Sequence, residues 1–447
     1  MSYLPHTQQD IKEMLAAIGK NSIEELFEEI PQEVRIKGEY ALPSCLSEPE
    51  LIRFMQKLAD KNLGLDRNNS FLGAGVYEHF IPVLVDMLSS RGEFSTSYTP
   101  YQPEVSQGNL QAIFEYQTAI AEIMQLDISN ASLYDGATAL AEALLISYSH
   151  HRRKRNVFLL PGNLHPEYRQ VVSTYMKNLD IKIVEIPVKN GLIDMEALPS
   201  LLTESVAGVV IAFPNFFGLL DDAASITALA HKCGALSIVQ VNPMSLGILT
   251  PPGSYDADIA VGEGQPLGIP LSYGGPYFGF IAAKQEFLRE MPGRIAGQTV
   301  DGRGERGFVL TIQTREQHIR REKATSNICS NQALMALRGL MYLTCLGKEG
   351  FYEVSYQCSQ KAHYLANAIA QIPGYSLTYS GPFFNEFVIT CPKNAAEILD
   401  KLTQKGIYAG VALERWWHER NKEILVAVTE CKTHQEILNL VAALKEV

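Results

Sequence analysis

Short apolar runs alternate with amphipathic segments through the middle of this sequence, and this alternation constrains the fold more than any other feature. The runs are rich in valine, isoleucine and leucine, as buried strands are, and they lie at 157–160, 181–186, 208–213 and 236–241. Segments with helical spacing separate them, at 165–176, 195–202 and 225–233. Strands that alternate with helices usually pair in parallel and are covered on both faces. We therefore predict an α/β fold with a mostly parallel sheet.

Polar side chains follow several of the predicted strands. Five of them come shortly after a strand, namely Asp135, His165, Asn215, Gln240 and Gln265. Ligands of open parallel sheets bind at the carboxyl ends of the strands. We predict that these side chains form the rim of a pocket, although each is also a residue type that turns use.

One of these strand ends has the features of an anion site. The residues Asp135-Gly-Ala-Thr138 follow a short apolar stretch and open a helix rich in alanine and leucine. The backbone N–H groups and the dipole of a helix N-terminus favour a phosphate group. The motif is weak by itself, because a strand-to-helix turn often needs a glycine and a hydroxyl cap for structural reasons alone.

The segment 256–279 joins two apolar runs through a polar loop and the turn Tyr-Gly-Gly-Pro. Enzymes that hold pyridoxal phosphate (PLP) as an imine usually keep their lysine in such a loop between two strands. The best-matching position here is Gln265, and a neutral amide cannot form a Schiff base. A strand–turn–strand with glycines for a tight backbone explains the same stretch without a cofactor.

Two further segments are rich in hydrogen-bonding groups. Residues 95–108 contain two prolines and several hydroxyl side chains, which predicts an extended loop used either for recognition or as a structural Ω-loop. Residues 314–327 combine a dense charge cluster with a small polar loop. An exposed helix with ion pairs explains the cluster, whereas the loop could donate hydrogen bonds to an anion across a subunit boundary.

Composition argues against several classes of protein. The formal net charge of -11 argues against a nucleic-acid or anionic membrane surface, and we interpret the basic residues 150–155 as a solvated turn. The seven cysteines are scattered without a C-x-x-C pair, so neither a disulfide framework nor a metal site is predicted. With no signal peptide pattern and no run of about 18 apolar residues, a cytoplasmic protein is expected.

The length of 447 residues predicts more than one domain. Residues 1–65 have helical patterns with too few apolar positions for a core, and we predict an N-terminal helical arm over the main domain or over a neighbouring chain. Residues 66–346 form the predicted large α/β domain. Residues 347–447 form a smaller C-terminal α/β domain.

Four motifs make the prediction more specific. They are F-L-G-A-G at 71–75, Y-T-P-Y-Q-P-E-V-S-Q-G at 98–108, A-S-L-Y-D-G-A-T-A at 131–139 and T-R-E-Q-H-I-R-R-E-K-A-T-S-N-I-C at 314–329. With them the chain closely resembles the glycine dehydrogenase (decarboxylating) family, the P-protein of the glycine cleavage system, and within it the N-terminal half or separate subunit 1. The resemblance covers nearly the whole chain. It implies a PLP-dependent transferase of fold type I, with a large sheet domain and a small C-terminal domain.

The resemblance also implies a reaction and its partners. Family members decarboxylate glycine on PLP and transfer the aminomethyl group to the lipoyl-lysine of the H-protein. The imine-forming lysine belongs to the sister half, here a separate subunit 2, in a tetramer with two copies of each subunit. Gln265 stands at the lysine position, and Gln240 stands where an aspartate would pair with the pyridinium nitrogen. The chain is therefore expected to hold no covalent cofactor and to be inactive alone.

By similarity, two groups of residues are expected to reach the partner's site. One group lies in the tyrosine-rich loop and approaches glycine or the cofactor: Tyr98, Tyr101, Gln102 and Glu104. The other group lies in the polar loop and contributes to cofactor binding, towards the phosphate: Thr325, Ser326 and Asn327.

Three other interpretations stay open. An autonomous PLP enzyme would need another lysine, such as Lys284 or Lys323. A regulatory or binding protein derived from a PLP fold would lack the lysine equally well, and a neighbouring gene that encodes a complementary histidine–lysine loop would argue against it. A stand-alone structural protein is disfavoured by the polar strand ends and by the tyrosine-rich loop.

Overall fold

The computed structural model describes residues 5–38, 40–65, 68–324, 326, 328 and 331–447. The chain forms two compact units that divide between Leu63 and Gly64. The division into three regions at residues 65 and 346 stays a prediction.

The first unit is built from short helices. Its described residues form two α-helices, Gln8–Ala17 and Glu48–Ala59, and two 3-10 helices, Glu24–Phe27 and Gln32–Val34. Thr7 and Ser47 begin the α-helices with capping boxes, in which the hydroxyl accepts an N–H from the first turn and a carboxylate returns the bond.

A seven-stranded sheet forms the centre of the second unit. Its strands are β1 (Ile128–Ser129), β2 (Val157–Pro161), β3 (Lys182–Ile186), β4 (Val206–Phe213), β5 (Leu236–Val241), β6 (Ile259–Glu263) and β7 (Gly279–Ala283). The order across the sheet is β1-β7-β6-β5-β4-β2-β3. Neighbouring strands from β2 to β6 are parallel, and β7 is antiparallel to both β6 and β1. This confirms the predicted mostly parallel sheet.

The apolar content of β4 explains its central place. Every residue of β4 is buried, so both of its faces need cover. Val209 and Ile211 point into the core on one face, whereas Val210 points into the core on the other. A strand that is apolar at successive positions is stable only between two layers of helices.

Helices cover both faces of the sheet. In the second unit the described residues form α-helices at Val83–Ser89, Gly92–Ser95, Gln107–Met124, Gly136–His150, Pro166–Met176, Leu198–Leu201, Ala223–Lys232, Gln317–Arg320, Ala333–Ala370, Ala395–Gln404 and His434–Glu446. Among these described residues, no helix is both long and apolar enough to cross a bilayer.

Three predicted elements differ from the observed ones. The helix expected over 195–202 is shorter and covers only Leu198–Leu201. The Asp194 carboxylate accepts the N–H groups of Glu196 and Ala197, and this turn takes the place of the first helical residues. The helix Ala333–Ala370 crosses residue 346, where the two α/β regions are predicted to meet, and it is interrupted at Gly347, whose φ of 59° suits glycine. The charge cluster forms one turn of α-helix, Gln317–Arg320, between two short 3-10 helices, Gln313–Arg315 and Arg321–Lys323.

A four-stranded antiparallel sheet lies in the C-terminal part. A separate hairpin of β8 (Ile295–Val300) and β9 (Arg306–Thr311) precedes this sheet in the chain. The strands of the sheet are β10 (Ser376–Leu377), β11 (Glu386–Thr390), β12 (Val411–Ala412) and β13 (Glu423–Ala427). Their order is β10-β11-β13-β12. Two short pairs complete the strands, Asn69–Ser70 with Ile407–Tyr408 and Val188–Lys189 with Leu192–Ile193. The pairing of Asn69–Ser70 joins the start of the second unit to its C-terminal part.

Candidate functional site

Three of the five predicted rim residues line one small cavity at the carboxyl ends of the strands. His165, Asn215 and Gln240 share its wall with Tyr77 and Glu263, among others. The cavity volume is about 50 Å³, whereas ligand pockets usually measure about 300–1,000 Å³. We call this space the strand-end cavity.

Gln265 lies beside the strand-end cavity and acts as a clamp. Its Oε1 accepts the N–H of Tyr77 at 2.8 Å, and its Nε2 donates to the carbonyl oxygens of Tyr77 at 2.9 Å and Ile269 at 2.8 Å. Every hydrogen-bonding group of the amide is used, and the residue is 1% exposed. Gln265 therefore fastens the loop that carries Tyr77 over the end of β6.

The predicted anion cradle is filled by the chain itself. The N–H of Gly136 donates to Glu263 Oε2 at 3.0 Å, and the N–H of Gln265 donates to Glu263 Oε1 at 3.1 Å. Asp135 caps the helix Gly136–His150 by accepting the N–H of Thr138 at 2.8 Å. Burial outweighs these backbone bonds and raises the pKa of Glu263 to about 8. A side-chain carboxyl thus occupies the position that suits a phosphate.

A second buried carboxyl fastens the same loop from the other side. Glu386, the first residue of β11, accepts the Tyr77 hydroxyl at 2.5 Å and the Ala74 N–H at 2.7 Å. Burial raises the pKa of Glu386 to about 7. The loop at 71–77 is therefore held between the main sheet and the C-terminal sheet.

His165 also serves this loop. The N–H of Glu167 donates to its Nδ1 at 3.1 Å, so the proton of the neutral ring lies on Nε2, which donates to the Ala74 carbonyl at 2.9 Å. Burial lowers the pKa of His165 and so favours this neutral ring. The ring stacks on Tyr168 with 5.0 Å between centroids.

The residues at the strand-end cavity do not fit PLP. No lysine stands at position 265, the helix N-terminus is occupied by Glu263, and the cavity is too small for a substituted ring and a phosphate. The two lysines that an autonomous PLP enzyme would need do not line the strand-end cavity. Lys284 pairs with Asp256 at 2.8 Å and Asp258 at 2.6 Å, and Lys323 is exposed at the end of a 3-10 helix.

Gln265→Lys is expected to leave this chain unable to bind PLP. The buried ammonium group of the variant loses its hydration, and the hydrogen bonds of the Gln265 amide are lost. The free energy of unfolding is therefore expected to fall by about 3 kcal/mol or more. Borohydride reduction with PLP followed by peptide mass spectrometry, together with urea unfolding, checks both effects. The control is Gln170→Lys, an exposed helix position. A reduced PLP adduct at position 265 but not at position 170 would contradict the assignment of a closed site.

The tyrosine-rich loop does not join the strand-end cavity. Its four candidates, Tyr98, Tyr101, Gln102 and Glu104, are all exposed, and the side chain of Tyr98 is 82% exposed. The Tyr101 hydroxyl accepts a hydrogen bond from Arg294 at 3.3 Å. This loop faces outward from the second unit.

The second group of candidates lies near a buried acid. Thr325 and Asn327 lie outside the described residues. The Ser326 hydroxyl accepts the N–H of Ile328 at 3.1 Å and interacts with Glu142. Burial raises the pKa of Glu142 to about 7.

Sequence reasoning missed Glu263, Tyr77 and Glu386. Each of the two acids lies at an end of an otherwise apolar strand, which is a signal for a buried carboxyl with a specific partner. The partners themselves are far away along the chain and could not be inferred from local patterns.

Comparison with known proteins places this geometry in a family. The family model described as glycine cleavage system P-protein matches residues 1–444. The chain belongs to the glycine cleavage system P-protein family. Proteins named probable glycine dehydrogenase (decarboxylating) subunit 1 match this P-protein chain over nearly all of its length. The one from Anoxybacillus flavithermus is 51% identical over 442 residues, covering 99% of this chain and 98% of the relative. The one from Bacillus mycoides is 51% identical over 439 residues, covering 98% of each.

Solved structures agree with the P-protein assignment. A crystal structure of glycine decarboxylase (P-protein) of the glycine cleavage system, in inhibitor-bound form, is 44% identical, with a TM-score of 0.91 over 100% of both chains. A sphingosine-1-phosphate lyase of Burkholderia pseudomallei is 12% identical, with a TM-score of 0.67 over 93% of this chain and 94% of that one, which shows a shared fold alone. The predicted PLP-dependent fold of type I is confirmed.

Proposed function

We propose that this chain is the subunit of glycine decarboxylase that lacks the PLP lysine and that it works only together with a second subunit. The observation that carries this proposal is the strand-end site, where Gln265 clamps Tyr77 and Glu263 accepts the N–H of Gly136 at the start of a helix. A chain with such a site keeps the fold of a PLP enzyme without the means to hold the cofactor. Its contribution is then made at the partner's site.

The assembled enzyme would decarboxylate glycine and transfer the aminomethyl group to the lipoyl group of the H-protein. This part of the proposal rests on the relatives, which are named as subunit 1 of glycine dehydrogenase (decarboxylating). In the assembly, PLP is held covalently by subunit 2, and two copies of each subunit form a tetramer in the cytoplasm.

The first unit supports the proposal of a partner chain. Among the described residues of this unit, Leu15 is the only large apolar side chain that is buried. The exposed ones are Met14, Ile18, Ile23, Leu26, Phe27, Ile30, Val34, Ile36, Tyr40, Leu42, Leu46, Leu51, Ile52, Phe54, Met55, Leu58 and Leu63. Exposed apolar surface of this extent marks a protein–protein interface. We assign this arm to the contact with subunit 2.

The outward-facing loop is the part of this chain that we place at the partner's site. Tyr98 and Tyr101 present apolar rings with a hydroxyl, which suits the margin of an interface. Gln102 and Glu104 add exposed polar groups beside them. The residues Thr325, Ser326 and Asn327 are proposed to contribute to cofactor binding in the same partner site.

Glycine-dependent exchange of labelled carbon dioxide tests the proposed function. PLP and lipoylated H-protein are supplied to this chain alone, to subunit 2 alone and to both together. We expect exchange only in the mixture. Exchange by this chain alone would contradict the proposal and return attention to Lys284 or Lys323. Full exchange by subunit 2 alone would favour a regulatory role for this chain.

A substitution in the loop extends the same assay. Tyr98→Ala is expected to lower exchange by the mixture about tenfold or more, through loss of a positioning contact, without changing assembly. Tyr273→Ala is the control, because Tyr273 is also exposed but lies outside the loop. Unchanged exchange by the Tyr98 variant, with assembly confirmed by size-exclusion chromatography, would remove Tyr98 from the partner's site.

A further inference from the structure

A second cavity lies beside the tyrosine-rich loop. Its volume is about 130 Å³, and it shares no lining residue with the strand-end cavity. Its walls come from the loop at 94–100 and from the helices Gln107–Met124 and Ala333–Ala370. Most of the wall is apolar, with contributions from Ile113 and Leu334. We call it the loop cavity.

Arg294 lines the loop cavity as a buried cation without a counterion. It is 6% exposed, and no carboxylate among the described residues forms an ion pair with it. Its Nη2 donates to the Tyr101 hydroxyl at 3.3 Å, and the guanidinium stands 5.6 Å from the centre of that ring. Its Nε is buried and has no hydrogen-bond partner within the part of the chain that the structure describes. Burial of an unpaired charge is costly, so this arrangement is incomplete without an anion.

A second unpartnered donor lines the same space. Tyr116 is 1% exposed, and its hydroxyl has no hydrogen-bond partner among the described residues. Buried tyrosine hydroxyls normally find a partner. Arg294 Nε and the Tyr116 hydroxyl are therefore two buried donors on residues that line the loop cavity.

The N-terminus of the helix Ala333–Ala370 adds to the positive potential. The helix begins at the loop cavity, where Ala333 and Leu334 are part of the wall. Its N-cap residue, Gln332, makes no side-chain cap to the first turn. The free N–H groups and dipole of such an end favour an anion.

We propose that the loop cavity binds a carboxylate carried on a short apolar stem. Arg294 supplies the counter-charge and the Tyr116 hydroxyl donates a hydrogen bond. Arg294 is the one cationic side chain among the lining residues, and a single cation suits a monoanion. The carboxylate comes either from a free small monocarboxylate or from an acidic side chain of the partner subunit, because the cavity opens beside the exposed Tyr98. Only the second source rests on the proposed function.

Acetate binding to the full-length chain alone tests this site without the partner. Line broadening of labelled acetate in solution NMR is expected to show saturable binding, and the neutral isostere acetamide is expected not to compete. Arg294→Met is expected to weaken acetate binding about tenfold or more. Arg306→Met is the matched control, because Arg306 is exposed on β9 and packs on Phe308 outside the loop cavity.

Tyr116→Phe keeps the test decisive if the Arg294 variant fails to fold. The phenylalanine ring keeps the packing and removes only the hydroxyl, so we expect weaker acetate binding with an unchanged thermal unfolding temperature. The proposal would be overturned if the unaltered chain did not bind acetate, or if the Arg294→Met and Tyr116→Phe variants both bound acetate as tightly as the unaltered chain.

A second arm with subunit 2 distinguishes the two sources. If a partner side chain supplies the carboxylate, assembly is expected to weaken acetate binding about tenfold or more by competition. If the ligand is a free monocarboxylate, acetate binding is expected to be unchanged on assembly. The arm with this chain alone does not depend on assembly, so failure of the proposed function cannot be mistaken for failure of the site.

Discussion

Removal of residues 1–63 is expected to abolish pairing with subunit 2. The arm exposes a dense set of large apolar side chains, and burial of only two or three of them on a partner is worth about 4 kcal/mol or more, roughly a thousandfold in affinity. The second unit has its own core clusters, so we expect the truncated chain to stay folded. Analytical ultracentrifugation of mixtures with subunit 2, together with circular dichroism of the truncated chain, measures both.

Substitutions on one helix of the arm make the test more specific. Leu51→Ser together with Phe54→Ser changes two exposed apolar positions of the helix Glu48–Ala59, and Arg53→Ser together with Lys57→Ser changes two polar positions of the same helix. Both pairs lose similar helix propensity. We expect only the apolar pair to weaken assembly. Equal affinity of the truncated and full-length chains for subunit 2 would exclude the arm from the interface.

Glu263→Gln is expected to stabilise the chain at alkaline pH and to destabilise it at acidic pH. Burial raises the pKa of Glu263 to about 8, above its ordinary value of 4.5. Between these values the folded state keeps the proton that the unfolded state has lost, so the free energy of unfolding falls as pH rises. The full loss is about 5 kcal/mol for this residue. Glutamine cannot ionise and so avoids this loss. Its Nε2 cannot accept one of the two N–H groups that Glu263 accepts, which costs about 1–3 kcal/mol at every pH.

Urea unfolding at about pH 5 and about pH 9 measures the difference. The free energy of unfolding of the variant still falls as pH rises, but by less, because burial also raises the pKa values of Glu386 and Glu142 to about 7. Glu204→Gln is the control, since Glu204 is exposed. A Glu263 variant with the same pH dependence as the unaltered chain would mean that Glu263 is ionised in the fold.

Several site features were predictable from the sequence because they depend on single residues. The glutamine at position 265 was visible directly, and its place after the end of a strand followed from the apolar run before it. His165, Asn215 and Gln240 were correctly predicted to meet, because the carboxyl ends of parallel strands lie at one edge of a sheet. Asp135 was correctly placed at a helix start, where it caps the helix.

The interpretation of the anion cradle needed the tertiary structure. The N–H of Gly136 is bound by a carboxylate 127 residues away, and Gln265 clamps Tyr77 across 188 residues. Nothing in the local pattern of Asp135-Gly-Ala-Thr138 distinguishes a cradle for a phosphate from one filled by the chain's own acid. The role of the tyrosine-rich loop at the partner's site stays a prediction.

The sequence by itself determined the layered α/β architecture and the presence of an amide rather than an amine at position 265. Continuous apolar runs can be buried only between two layers, and a missing amine is a property of one position. The tertiary structure alone decided that Glu263 fills the strand-end site and that Arg294 lies in the loop cavity beside Tyr101 without a carboxylate. Both depend on contacts between residues more than a hundred positions apart. Such contacts arise from how the layers pack, and no local periodicity encodes them.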